Sequence, residues 1–179
     1  MKRSYKDLIK GLISNDRVCL SKLISSIESD SSSIFRIINS VKRIPNKAYT
    51  IGVTGPPGAG KSTLTNQIIK KFRGMNLKIG VIAIDPSSPF TGGAVLGDRV
   101  RMQEHSLDTS VFIRSVGSRG DLGGLSSSTS SMIKLFDIFG MDIVIIETVG
   151  VGQTELDIIK ISDSVLVTLV PEAGDGIQA

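Results

Sequence analysis

Apolar residues recur at helical spacing over the first part of the chain. One face of a first helix is formed by Tyr5, Leu8, Ile9, Leu12 and Ile13. Asn15 or Asp16 can cap a second helix, whose inward positions are Val18, Leu23, Ile24 and Ile27. A third helix, capped within residues 31–33, carries Ile34, Ile37, Ile38 and Val41. Pro45 and Asn46 end the pattern, which therefore predicts a helical extension over residues 1–46 that packs on the sheet or on a partner.

The pattern changes after residue 47 to short runs of consecutive apolar, β-branched residues. Such runs predict buried strands, at residues 49–54, 78–84, 110–114, 142–146 and 164–170. Helical stretches intervene, directly after the first strand and near residues 98–105, 125–139 and 154–162. Alternating strands and helices predict an α/β domain over residues 47–179, with a mostly parallel sheet and helices on both of its faces.

Polar residues stand where these predicted strands end. Gly55, Asp85, Arg114 and Glu147 lie at or just beyond the ends of four different strands. Ligands of open parallel sheets bind at the carboxyl ends of the strands. We therefore expect these residues to gather at one mouth of the sheet.

A glycine-rich loop follows the first predicted strand and precedes a helix. It reads Gly55-Pro56-Pro57-Gly58-Ala59-Gly60-Lys61-Ser62, followed by Thr63. This is the P-loop pattern, in which backbone N–H groups and the helix N-terminus bind the phosphates of a nucleoside triphosphate. Lys61 is expected to reach the β- and γ-phosphates, and the Ser62 hydroxyl to bind Mg²⁺. An ordinary glycine-rich turn is the alternative, and the strand–loop–helix context argues against it.

Three acidic residues are candidates for a metal site at the same mouth. Glu147 ends an apolar strand and is followed three positions later by Gly150, which is the Walker B arrangement. Asp85 ends another strand, and Asp98 lies in a glycine-rich segment; each could instead cap a helix or lie in a solvated turn. The predicted metal ligands are Ser62, Asp85, Asp98 and Glu147. The predicted catalytic residues are Lys61, Glu147 and Asp85.

Composition and charge narrow the class of protein. The chain has 179 residues, 40% of them hydrophobic, and a formal net charge of +4. Its Lys and Arg residues are scattered rather than grouped in the patch typical of nucleic-acid readers, so no nucleic-acid partner is expected. Cys19 is the single cysteine, expected as a small buried apolar residue of an intracellular protein. No apolar run is long enough to span a membrane, and no signal peptide is evident, so a cytoplasmic location is expected.

Longer motifs carry a resemblance to a known family. They comprise the P-loop, Ala83–Met102 with its Asp85-Pro86-Ser87-Ser88-Pro89 and Leu96-Gly97-Asp98-Arg99 segments, Glu147–Glu155, and Pro171–Ala179. Together they resemble the MeaB/ArgK GTPases, P-loop proteins of the SIMIBI class, over essentially the whole chain. The family continues into a base-reading motif and a dimerisation arm, so the resemblance implies an N-terminal fragment of a longer protein.

The resemblance implies a metallochaperone that binds and hydrolyses GTP with Mg²⁺. Its partner would be an acyl-CoA mutase of the methylmalonyl-CoA mutase type, for which it assists adenosylcobalamin loading, protection or reactivation. Residues 85–101 and 147–159 correspond to two nucleotide-sensing switches and 174–179 to the start of a third, and the full-length protein is expected to be a homodimer. Some members are described as kinases linked to a lysine/arginine/ornithine transport system, so a phosphotransferase is the alternative function.

The residue that positions the attacking water remains open at this stage. Gln153 is a candidate for that role, and Arg99, Arg101 or Arg119 could neutralise charge in the transition state, although each could equally be a solvated loop residue. His105, the single histidine, is expected at the surface rather than in catalysis. A nucleotide-binding module with negligible turnover is a third reading of the chain.

Overall fold

Five parallel strands form one sheet in the computed structural model, which describes residues 4–30, 32–41, 47–85, 103–105, 107–117, 122–148 and 154–170. The strands are β1 (Tyr49–Thr54), β2 (Ile79–Asp85), β3 (Val111–Gly117), β4 (Ile143–Glu147) and β5 (Ser164–Val167). Their spatial order is β3-β2-β4-β1-β5, and every pairing is parallel. The predicted α/β fold is confirmed.

Six α-helices are described with this sheet. They are α1 (Tyr5–Ile13), α2 (Arg17–Ser29), α3 (Ser33–Ser40), α4 (Lys61–Arg73), α5 (Leu122–Phe139) and α6 (Thr154–Ile161). Ser4 and Asp7 form a capping box at the start of α1, and the Asp16 carboxylate accepts hydrogen bonds from two backbone N–H groups of α2. The first two N-terminal helices thus begin where their capping residues satisfy the exposed N–H groups.

Apolar side chains cover both faces of the sheet, because successive residues of a strand point to opposite sides. In β4, Ile143 and Ile145 belong to the core cluster that includes Ile69 of α4. Val144 and Ile146 belong to the other cluster, with residues of α1, α2, α3, α5 and α6. Helices therefore cover both faces, as predicted, and the N-terminal helices share a core with the sheet.

Cys19 and Gly11 mark the close contact between α1 and α2. Cys19 is fully buried, as expected for a small apolar residue. A Cβ atom on Gly11 would lie 2.3 Å from the Cys19 sulfur, so a side chain at that position would force the helices apart. None of the helices in the described part of the chain is both long and apolar enough to cross a membrane.

The structure corrects the expected position of Arg114. Arg114 lies in the middle of β3, which continues to Gly117, and not at the mouth of the sheet. Its guanidinium group pairs with the Glu28 carboxylate and donates to Ser25 Oγ, 3.1 Å away. Arg114 therefore ties α2 to β3, which lies at the edge of the sheet.

The predicted surface position of His105 is also wrong. It lies in a 3₁₀ turn (Gln103–His105), the described part of the predicted helix near 98–105, and only 7% of it is exposed. Its Nε2 atom lies 2.5 Å from Asn66 Oδ1 on α4. Burial lowers the pKa of the imidazole; Glu104 and Asp108 oppose this effect, and Lys70 reinforces it. The histidine expected at the surface is thus buried and in contact with α4.

Candidate nucleotide-binding site

The loop between β1 and α4 has glycine at the positions where the backbone φ angle is positive. Gly58 and Gly60 have φ angles of 80° and 84°, in the left-handed region that other residues rarely adopt. Gly55 has a φ angle of 135°, and a Cβ atom there would lie 2.1 Å from the carbonyl oxygen of Thr168. Glycine is therefore favoured at Gly58 and Gly60 by the backbone angle, and at Gly55 by the lack of space for a Cβ atom as well.

Lys61 is the first residue of α4 and points back into the loop. Its Nζ atom donates to the carbonyl oxygens of Gly55, at 2.7 Å, and Pro56, at 2.9 Å. Lys61 is only 7% exposed. A buried ammonium group needs such acceptors, so this side chain places a fixed positive charge at the start of the helix, where anions are also favoured by the helix dipole.

Ser62 and Glu147 meet beside this charge. The Ser62 hydroxyl donates to Glu147 Oε1 over 2.5 Å, although 85 positions separate the two residues. The parallel pairing of β1 with β4 brings them together, since Val53 lies opposite Glu147. Glu147 is 5% exposed and Ser62 8% exposed, so the contact is buried.

The predicted metal ligands are only partly described. The backbone of Asp85 ends β2, two positions beyond the residue that pairs with Glu147. Its side chain, and the whole of Asp98, lie outside the described residues. The described residues contain no group of three or more His, Cys, Asp or Glu side chains close enough to hold a metal. The structure therefore brings Lys61, Ser62 and Glu147 together and leaves the other predicted ligands untested.

The donor atoms at this position fit Mg²⁺. A hydroxyl and a carboxylate oxygen are hard ligands, and Mg²⁺ is commonly held by one or two protein oxygens together with phosphate oxygens and water. A site of this kind needs no larger cluster of acidic side chains. Ser62 and Glu147 are thus the described residues suited to hold the ion.

The further candidate residues of the site lie outside the described part of the chain. Residues 86–102, 118–121 and 149–153 lie outside the described part of the chain, so the placement of Gly150, Arg99, Arg101, Arg119 and Gln153 stays a prediction. Outside the described part also lie the first predicted switch segment beyond Asp85, residues 149–153 of the second, and residues 174–179.

Three threonines at this mouth were not singled out from the sequence. Thr54 ends β1, Thr148 follows β4, and Thr168 follows β5. Thr168 donates to the Thr54 carbonyl oxygen through its N–H, at 2.8 Å, and through its hydroxyl, at 3.0 Å. Thr148 Oγ1 lies 3.2 Å from Thr54 Oγ1. The sequence offers little signal for them as a group: Thr54 ends the predicted strand 49–54, but Thr148 lies two positions beyond the predicted strand 142–146 and Thr168 lies inside the predicted strand 164–170.

A phosphate-binding loop, a lysine and a serine at the start of a helix, and an acid on the adjacent parallel strand define the class of P-loop nucleoside triphosphatases. A family model described as methylmalonyl Co-A mutase-associated GTPase MeaB matches residues 20–179. The chain belongs to this GTPase family, which confirms the resemblance drawn from its motifs.

Relatives agree with this assignment, and a solved structure shares the fold. A Pyrococcus horikoshii protein, named provisionally as a GTPase, is 51% identical over 172 residues, covering 96% of this chain and 54% of that protein. GTPase ArgK of Escherichia coli is 36% identical over 174 residues, covering 95% of this chain and 53% of that protein. The crystal structure of an LAO/AO transport system kinase has 26% identity and a TM-score of 0.74, covering 98% of this chain and 54% of that one. The chain thus spans about half the length of the proteins it matches.

Proposed function

We propose that this protein binds and hydrolyses GTP with Mg²⁺ and uses its nucleotide state to assist an acyl-CoA mutase. The observation that carries the proposal is the meeting of Lys61, Ser62 and Glu147 at one glycine-rich loop. A buried lysine charge and a buried hydroxyl–carboxylate pair at one helix N-terminus suit a magnesium-bound triphosphate. Membership of the MeaB GTPase family supports guanine as the base.

Each residue has a defined task in this proposal. Lys61 exchanges the neutral Gly55 and Pro56 carbonyls for charged phosphate oxygens, which form stronger hydrogen bonds with an ammonium group. Ser62 and Glu147 hold the magnesium ion, which, when bound, neutralises charge on the β- and γ-phosphates. The loop glycines let backbone N–H groups approach the phosphates without a Cβ clash.

The partner is proposed from the family and not from the geometry. The matching family is described as associated with methylmalonyl-CoA mutase, which favours a B12-dependent acyl-CoA mutase as the partner of this chain. Adenosylcobalamin loading, protection or reactivation of that mutase, a homodimer and a cytoplasmic location complete the proposal. By linkage, a mutase that distinguishes the nucleotide states must change nucleotide affinity by the same factor.

GTP labelled on its γ-phosphate tests the reaction. The expected product is inorganic phosphate, released only with Mg²⁺, from GTP in preference to ATP. Label transferred to a protein or metabolite would instead support the phosphotransferase named for the solved relative. Retention of intact GTP would indicate a binding module, and the hydrolysis proposal would fail.

Addition of mutase tests the partner. The mutase is expected to change the rate of phosphate release from the wild-type protein. The matched control is Glu147→Gln, which keeps the size of the side chain but removes its negative charge; its phosphate release is expected to stay low both with and without mutase. A wild-type rate that is the same with and without mutase would contradict the partner assignment while leaving GTP hydrolysis intact.

A further inference from the structure

The start of the phosphate-binding loop is fixed by residues that follow two other strands. Thr54 is the last residue of β1 and is only 7% exposed. Strand β4 lies on one side of it and β5 on the other, and each continues into a threonine. We propose that Thr168 and Thr148 are positioning residues for this loop and act through Thr54.

The contact from Thr168 holds the peptide unit that joins Thr54 to Gly55. Two donors from one residue, the Thr168 N–H and the Thr168 hydroxyl, meet the Thr54 carbonyl oxygen at 2.8 and 3.0 Å. The N–H bond continues the ladder in which Thr54 pairs with Val167, but the hydroxyl bond depends on the side chain. The orientation of this peptide is therefore set from β5.

The next carbonyl along the chain, that of Gly55, accepts a hydrogen bond from Lys61. Gly55 has a φ angle of 135°, and its carbonyl oxygen accepts from Lys61 Nζ at 2.7 Å. The Thr168 backbone lies so close to Gly55 that no Cβ atom would fit between them. Thr168 thus limits the rotation of Gly55, and Gly55 in turn sets where the Lys61 ammonium group lies.

Thr148 connects the same point to the metal side of the site. It follows Glu147 directly and is 2% exposed. Its N–H donates to the Val53 carbonyl oxygen at 3.0 Å, and its hydroxyl donates to Thr54 Oγ1 at 3.2 Å. Two adjacent residues at the end of β4 therefore serve the site: Glu147 supplies the carboxylate, and Thr148 holds the beginning of the loop.

This inference rests on the proposed function, because the loop is taken to bind a triphosphate. Its test uses Thr168→Val, which keeps the β-branched shape and removes the hydroxyl, and Thr168→Ser, which restores a hydroxyl. Ser164→Ala is the matched control, since Ser164 Oγ lies 2.6 Å from the Tyr49 hydroxyl at the opposite end of the same strand pair. Affinity for a non-hydrolysable GTP analogue with Mg²⁺ and thermal stability are measured for each protein.

The expected result is a loss of affinity for the analogue without a matching loss of thermal stability. Thr168→Val should bind the analogue about two- to tenfold more weakly, the range for loss of one neutral hydrogen bond. Thr168→Ser should recover most of that loss, and Ser164→Ala should bind like the wild type. Combining Thr168→Val with Thr148→Val should give a loss different from the product of the two single losses, because both act through Thr54.

Two outcomes are distinguishable from each other. Wild-type protein that binds no nucleoside triphosphate would contradict the proposed function itself. Wild-type binding accompanied by equally tight binding of Thr168→Val, or by an equal loss in Ser164→Ala, would overturn the positioning role alone.

Discussion

Replacing Lys61 with alanine removes the positive charge that the structure holds at the start of α4. Because Lys61 is 7% exposed, water screens its charge only weakly. One charge-assisted hydrogen bond contributes about 1.5–3 kcal/mol, so loss of a single bond to phosphate should weaken triphosphate binding about 10- to 150-fold. Both acceptors that Lys61 now uses, the Gly55 and Pro56 carbonyls, lie on the loop itself. The damage should therefore stay local to the site.

The free energy of unfolding should change little in this variant. The ammonium group loses two hydrogen bonds on substitution, but its desolvation cost disappears as well, and the net change is expected within about 1 kcal/mol. Titration with a fluorescent GTP analogue and a phosphate-release assay measure function, and thermal unfolding measures stability. Hydrolysis should fall at least as far as binding, since the same charge acts on the transition state.

Lys70→Ala is the matched control for Lys61→Ala. Lys70 lies on the same helix, its side chain is 45% exposed, and it pairs with Glu104 at 2.5 Å. Exposed pairs of this kind contribute about 0–1 kcal/mol to stability, and Lys70 makes no contact with the loop among those described. Equal nucleotide affinity in wild type and Lys61→Ala would refute the reasoning, as would a loss of the same size in Lys70→Ala.

Three other predictions follow from described contacts. Glu147→Gln should weaken Mg²⁺-dependent nucleotide binding more than Mg²⁺-free binding; superimposable Mg²⁺ titrations of variant and wild type would argue against the metal role. The lowered pKa of His105 means that the folded protein disfavours its protonated form, so unfolding free energy should fall as pH drops below about 6.5. Denaturant unfolding between pH 7.5 and 5.5 should show a smaller fall in His105→Gln, and parallel curves would contradict the assignment. Gly52→Ala should destabilise the fold by about 1–3 kcal/mol, because its Cβ would lie 2.3 Å from Ile158 Cγ2; an unchanged melting temperature would show that α6 moves freely.

The strands and the loop were predictable because their signals are local. Runs rich in β-branched residues mark β1 and β4, and the glycines of the loop after β1 are the residues that have positive φ angles. The pairing of Ser62 with Glu147 could also be anticipated, since both follow from motifs with known positions in a parallel sheet. Strand β5 was predicted too long. It ends at Val167 because Val167 pairs with Thr54, the last residue of β1, and the chain after Thr54 enters the phosphate-binding loop.

Contacts between distant residues were not predictable from pattern alone. His105 stands on a short polar segment, and its burial depends on Asn66, 39 positions earlier. Arg114 looked like a strand-end residue, yet it lies within β3 and meets Glu28, 86 positions away. In both cases the neighbours of the side chain depend on how the helices pack on the sheet. Hydrophobic periodicity along the chain does not predict that packing.

The position of β4 has a consequence for how the chain folds. β4 lies between β1 and β2, which precede it in sequence and do not pair with each other. Before β4 takes its place, the other strands can form only two separate pairs, β2 with β3 and β1 with β5. Insertion of one short strand, four apolar residues followed by Glu147, must therefore join the two pairs. Such non-local pairing loses loop-closure entropy before the stabilising strand contacts form, so assembly of the sheet is expected to be slow. During synthesis the phosphate-binding loop would emerge long before the strand that brings its acidic partner, so the site can be completed only after β4 and its Glu147 have been made.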